Sequence, residues 1–130
     1  MIQARFKATR DPETRQYVIS NCNHGTDISY GIEIDRVDEV VIFSLDTEPR
    51  DQKEIRIPFE LDKWTSVALI YDGLRFTGEV NGKRKSTPLA GDVETRSSPL
   101  RIGGCGVQQN RFSGYLDEVS MSFCIPRKRR

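Results

Sequence analysis

Cysteine is scarce in this chain of 130 residues, and so are histidine and tryptophan. The three cysteines, Cys22, Cys105 and Cys124, form an odd, sparse set and not a disulfide framework. Three ordinary thiols are the simpler expectation, with one bridge left open. The single histidine, His24, sits two residues from Cys22, and no C-x-x-C pair exists. A zinc centre therefore lacks its usual ligand spacing. No apolar run approaches the roughly 20 residues that a spanning helix needs. The opening MIQARFKATR lacks the apolar stretch of a signal peptide. A cytoplasmic chain, a removed signal and a domain cut from something longer all fit that. An excess of one charge is missing as well: 20 Lys and Arg stand against 19 Asp and Glu, giving a net charge of +1. That balance argues against nucleic acid or an anionic membrane as the main partner.

Helical periodicity is also absent. Apolar residues alternate, in short β-rich runs punctuated by turn residues at roughly 8–12-residue spacing, which is the pattern of a sandwich or barrel. Strands are expected near Ile2–Ala8, Gln16–Asn21, Tyr30–Asp35, Val40–Leu45, Glu54–Ile57, Thr65–Tyr71, Arg75–Val80, Lys83–Ser86, Leu100–Gly103 and Arg111–Phe123. Asp72-Gly73 and Asn81-Gly82 tolerate positive φ and can each close a tight hairpin. Pro58 cannot donate to a ladder and should end its strand. Pro88 and Pro99 bracket a polar loop. Residues 1–124 are read as one domain, followed by a basic tail, 125–130, that is expected to fray.

Two strands give more detail. VALIY is apolar on both faces, which fits a central strand, and the lone Trp64 before it is expected in the core. In RFSGYLDEVSMSF, Phe112 and Leu116 share one parity, while Val119, Met121 and Phe123 share the other. The phase slips at Asp117-Glu118, so a β-bulge is expected there. Gly114 lacks a Cβ and lets another backbone come close.

The ordered series W-x-x-V-A (Trp64 to Ala68), Y-D-G (Tyr71 to Gly73), V-N-G (Val80 to Gly82), L-R-I-G-G (Leu100 to Gly104) and F-S-G-Y-L-D-E-V-S-M (Phe112 to Met121) resembles the laminin G-like, or concanavalin A-like, domains, including pentraxin-like and bacterial LamG-like ones. The resemblance implies an all-β, antiparallel jelly-roll sandwich of two curved sheets. It implies a non-catalytic module that binds carbohydrate or a glycosylated surface through loops at the sandwich rim. It also favours an extracellular setting. Family members commonly begin with a further strand, so a strand starting at Ile2 suggests an exposed sheet edge and pairing into a homodimer.

Three sets of residues stand out as sites. The amide-rich run Gln108, Gln109, Asn110 and Arg111, and the run Asn23, His24 and Asp27 with Tyr30, offer groups that match sugar hydroxyls and stack on a ring face. Polarity for solubility alone explains the same loops. Asp117, by resemblance, is where a structural calcium would bind, the one cofactor the family suggests; the simpler alternative is that Asp117 hydrogen-bonds the bulge. No certain cofactor is expected. Finally, Glu33 and Asp35 lie in E-x-D spacing, as on the catalytic strand of laminarinase-type glycosidases. They would point the same way, about 6.8 Å apart along an extended strand, within reach of the carboxylate gaps glycosidases use. The family's third acid falls at Val37 or Asp38, so only the longer form fits, with Asp in place of Glu. A solvated hairpin, with Ile32 and Ile34 inward and both acids outward, explains more of these residues. Lys83, Arg84, Lys85 and Arg127 to Arg130 are basic; the resemblance implies that such patches hold polyanions in some laminin G-like domains, and a frayed, solvated end explains the tail as simply.

Overall fold

A computed structural model describes residues 1–9, 15–21, 29–48, 51–93, 100–104 and 111–122. It contains ten strands: β1 (Ile2–Ala8), β2 (Arg15–Ser20), β3 (Tyr30–Asp35), β4 (Val40–Thr47), β5 (Asp51–Pro58), β6 (Trp64–Tyr71), β7 (Arg75–Val80), β8 (Lys83–Pro88), β9 (Arg101–Ile102) and β10 (Gly114–Met121). All ten expected strands are present, and β5 ends on Pro58. They form two antiparallel five-stranded sheets. The first runs β10-β1-β6-β7-β8; the second runs β5-β4-β3-β2-β9. The two are packed as a jelly-roll sandwich. Among the described residues no helix is long and apolar enough to cross a membrane.

Alternation decides which side chains meet between the sheets. Phe6, Phe43 and Phe76 are the largest fully buried side chains, with Ile19, Ile32 and Ile34 around them. The Phe6 ring meets Phe59 and Phe112 edge-on, at centroid distances of 5.7 and 5.8 Å, a favoured aromatic arrangement. Gly78 of β7 faces Phe43 across the core. A Cβ there would lie 2.6 Å from the Phe43 ring, so bare backbone is what lets the sheets close at this point.

The turns follow their chemistry. Val80 pairs with Lys83 around Asn81 and Gly82, whose φ values are 49° and 85°. Positive φ at both central residues is the type I′ geometry that matches strand twist. In the β6–β7 turn, Asp72 Oδ1 accepts hydrogen bonds from Leu74 N and Arg75 N, at 2.9 and 2.8 Å.

The slip in β10 is the bulge anticipated above. Gln3 pairs with Ser120 and Arg5 with Asp117, so three steps on β10 oppose two on β1. Glu118 takes the strain at φ 52°. The extra residue lets Leu116, Val119 and Met121 all pack against the core. At Gly114, a Cβ would sit 2.1 Å from Lys7 O, so only glycine admits the neighbouring backbone.

Two expectations are corrected. Trp64 is not in the core; it is 41% exposed. Thr65, Val67 and Leu69 occupy the inward positions of β6, so parity turns Trp64 outward with Ser66 and Ala68. Nor does the strand at Ile2 form an edge. β1 lies between β10 and β6, hydrogen-bonded on both sides.

Candidate functional site

Of the residues singled out at the rim, Asn23, His24, Asp27, Gln108, Gln109 and Asn110 lie outside the described residues, as do the three cysteines and the basic tail. Tyr30 starts β3, half-buried against the edge of the core. Its backbone N and that of Ser29 both donate to Asn21 Oδ1, at 3.1 and 2.8 Å, which ties β2 to β3 at that end. Arg111 is exposed, and no hydrogen bond or ring contact joins it to Tyr30.

The E-x-D pair has structural work. Asp35 Oδ1 accepts from Val37 N and Asp38 N, at 2.9 and 3.2 Å, and so caps the β3–β4 turn. Glu33 faces outward as alternation requires, yet its side chain is only 6% exposed. It pairs with Arg15 at 2.5 Å. It stands in the cross-strand row Tyr17–Glu33–Ile42–Arg56. Burial pushes the Glu33 carboxyl above its ordinary value of 4.5, with Arg15 pulling the other way. Ile42 is fully buried on this outer face, so the acid and its neighbours form a charged lid over apolar side chains.

Asp117 Oδ1 accepts from Glu118 N at 2.9 Å, the bond expected of a bulge-stabilising aspartate. No group of three or more His, Cys, Asp or Glu with metal-holding geometry occurs among the described residues.

The outer face of the first sheet is a different kind of surface. The register lays out three rows across it: Tyr115–Lys7–Trp64, then Asp117–Arg5–Ser66, then Ser120–Gln3–Ala68–Glu79. Over the second and third rows lies an open depression of about 540 Å³, whose lining includes Gln3, Arg5, Ser66, Ala68, Glu79 and Ser120. Its walls offer an amide, two hydroxyls and charged groups around the small floor residue Ala68. The first row is next to the second on the same face, outside the lining of the depression, and carries two exposed aromatics: Tyr115, 61% exposed, and Trp64. Their ring centroids are 6.4 Å apart, with the planes inclined by 43°. Arg5 reaches over Trp64, its guanidinium carbon 5.0 Å from the ring centroid, a cation–π geometry.

These residues escaped sequence reasoning because Trp64 was placed inside. The parity of W-T-S-V-A-L-I-Y, with Val67 and Leu69 as inward anchors, carried the signal. The rows themselves depend on β1 lying between β6 and β10, which no local pattern encodes.

Comparison with known proteins places this geometry in a family. The family described as the Concanavalin A-like lectin/glucanases superfamily matches residues 2–122. Among curated proteins, the chain is 34% identical over 138 aligned positions to an asparagine-rich protein of Margaritifera margaritifera, covering all of this chain and 20% of that protein. It is 36% identical over 112 positions to a shell matrix protein of Mytilus californianus, covering 85% of this chain and 37% of the relative. It is 31% identical over 123 positions to uncharacterized shell protein 26 of Lottia gigantea, covering 94% and 70%. The chain thus spans about a fifth and a little over a third of the first two relatives. Among solved structures, domains LG4-5 of the mouse laminin alpha1 chain superpose with a TM-score of 0.71 at 17% identity, covering 91% of this chain and 33% of that one. A heptameric SAP-like pentraxin from Limulus polyphemus gives 0.61 at 21% identity, covering 91% and 60%. With two antiparallel sheets in jelly-roll order and a family match across nearly its whole length, the chain belongs to the Concanavalin A-like lectin/glucanases superfamily, as a laminin G-like domain.

Proposed function

We propose that this domain is a non-catalytic recognition module that binds carbohydrate, with the sugar lying on the outer face of the first sheet. The observation that carries the reading is the pair of exposed rings, Trp64 and Tyr115, one row from a polar depression on the same sheet face. One exposed aromatic is ordinary, but two neighbouring ones on a single sheet face form a patch that a partner can cover. Flat rings beside amide and hydroxyl groups suit a sugar, whose ring faces are apolar and whose edges carry hydroxyls. The relatives named as shell and shell matrix proteins support an extracellular setting. The runs Asn23, His24 and Asp27, with Tyr30, and Gln108, Gln109, Asn110 and Arg111 are proposed as a secondary contact. A structural calcium at Asp117, which stands opposite Arg5 on β10, is an optional addition on the sheet face itself.

Hydrolysis by Glu33 and Asp35 is the weaker reading. Asp35 is spent on capping a turn and Glu33 on pairing with Arg15. Self-association through a sheet edge is weaker too, because the edge strands carry features that discourage pairing.

A glycan array probed with and without EDTA tests the proposal. Retention on at least one glycan, weakened about tenfold or more by Trp64→Ala, is expected; that corresponds to about 1.4 kcal/mol or more. Silence across the array in both arms, or binding indifferent to Trp64→Ala, would remove the sheet-face site. Loss of binding in EDTA would make a calcium ion part of the contact.

A further inference from the structure

We propose that β10 is a tension-release strand: a pull between the two ends of the domain peels it from β1 as far as a clamp at Ser113, and so dismantles the outer face of the first sheet while the rest of the sandwich stays folded. The inference goes beyond the carbohydrate reading and stands or falls without it.

The first and last described residues meet. Met1 N donates to Ser122 O at 2.6 Å, and Ser122 N donates to Met1 O at 2.8 Å. From there β1 and β10 run antiparallel, from Ile2 against Met121 to Ala8 against Gly114. Hydrogen bonds between antiparallel strands lie across the strands. A pull that separates the two neighbouring ends therefore acts along those bonds and loads them one pair at a time. The bulge divides the ladder further, because it cuts off the Ile2–Met121 and Gln3–Ser120 pairs from the four that follow.

The two strands are held very differently. On β1, Ile2, Ala4, Phe6 and Ala8 are buried, and β6 pairs along its other edge. On β10 no residue is buried; Leu116, Val119 and Met121 only lean against the core. Among the described residues β1 is also its one partner strand. It is β10 that leaves.

The root of β10 is held tightly. Ser113 N donates to Gln16 Oε1 at 2.9 Å, and Ser113 O accepts from Arg36 Nη2 at 2.9 Å and from Thr9 N at 3.1 Å. Gln16, on β2, and Arg36, just after β3, are both buried. Away from water, such bonds are stronger than those of an exposed ladder. Phe112 adds its ring to Phe6. Gly114, at φ 143°, is the pivot between clamp and strand. Once β10 is off, the pull runs from Met1 at one end of β1 to Ser113 beside the other. It then acts along β1 and loads the β1–β6 pairs together, so the opening stops there.

In the asparagine-rich relative the matching part is 20% of the protein. A pull on so long a chain would reach such a domain through its two ends. Peeling carries Tyr115, Glu118 and Ser120 away from the face that also holds Trp64 and Arg5, so tension switches that face off.

The test is to stretch the protein in optical tweezers, tethered through its two termini. The expected trace shows a reversible step of about 50 Å before the main rupture, at no more than about half its force. About 30 Å of that step is the segment from Gly114 to Ser122 drawn straight, and the rest is the sandwich turning to lay β1 along the pull. A variant carrying Val119→Ala and Met121→Ala should lower the force of the step and leave the main rupture unchanged, because β10 has already left; Met121→Ala alone serves if the double variant does not fold. A single rupture on the order of 400 Å, with no earlier step, would overturn the proposal. So would a first step much longer than about 50 Å, which puts the break beyond Ser113, or a variant that weakens both events alike.

Discussion

At the scale of single residues, two side chains show how little room this sandwich leaves. Gly78 holds its place because Phe43 fills the space where a Cβ would go. Phe43 is fully buried and ringed by other core side chains, so it cannot swing aside cheaply. Gly78→Ala should destabilise the domain by about 1–3 kcal/mol, the usual range for overpacking, seen as a lower midpoint in urea with an unchanged slope. Glu33 makes the opposite case. Its carboxyl is raised above its ordinary value chiefly by burial, so the folded state holds that proton more tightly than the unfolded chain does. The contribution of that proton is fully present below the unfolded-state value and is lost as pH rises through the raised folded value. Glu33→Gln should therefore gain stability relative to the parent as pH climbs from the ordinary carboxylate range toward neutrality. Paired thermal melts across that range check it. A parent that gains on the variant instead would mean that the Arg15 pair outweighs the burial.

At the scale of elements, most of the architecture was legible and one device especially so. All ten strands stand out from alternation and turn residues. The β10 bulge follows from the change of parity between Leu116 and Val119, because one face must stay inward along the whole strand. Gly114 was readable as a close approach, and the distance to Lys7 O bears that out. Gly114→Ala meets both a carbonyl oxygen and a φ of 143°, so it should cost about 1–3 kcal/mol and loosen the β1–β10 pairing. Hydrogen exchange should show faster exchange at Thr9 N, which donates to Ser113 O beside this junction. The site was less legible. Gln3, Arg5 and Lys7 alternate plainly outward in IQARFKA, but nothing local says that Trp64 and Tyr115 flank Lys7. Those partners lie 57 and 108 residues away and meet only through the sheet order. Trp64 was misread because a lone tryptophan is usually core, and that general habit was allowed to outrank the parity of its own strand.

At the scale of the whole molecule, the described sheets end in strands unsuited to adding another chain. β8 carries Lys83, Arg84 and Lys85; β5 carries Lys53, Glu54 and Arg56 and stops at Pro58; β10 is bulged; β9 has only two residues. Charges, proline, bulges and shortness are the standard means of blunting an edge. Sedimentation at micromolar concentration should find a monomer. Replacing Lys83, Arg84 and Lys85 by Thr should introduce concentration-dependent association. Among the described residues, the outer face of the first sheet leaves two large aromatics, Trp64 and Tyr115, uncovered, and the proposed site is there.

That assignment is open to one direct measurement, because the chain has a single tryptophan. Acrylamide quenching of the Trp64 emission can be followed while a polysaccharide that retains the domain is titrated in. A readily quenched ring in the free protein, shielded saturably and with a blue-shifted emission as the polymer binds, is the predicted result. Saturable binding that leaves the quenching and the emission maximum unchanged would contradict it.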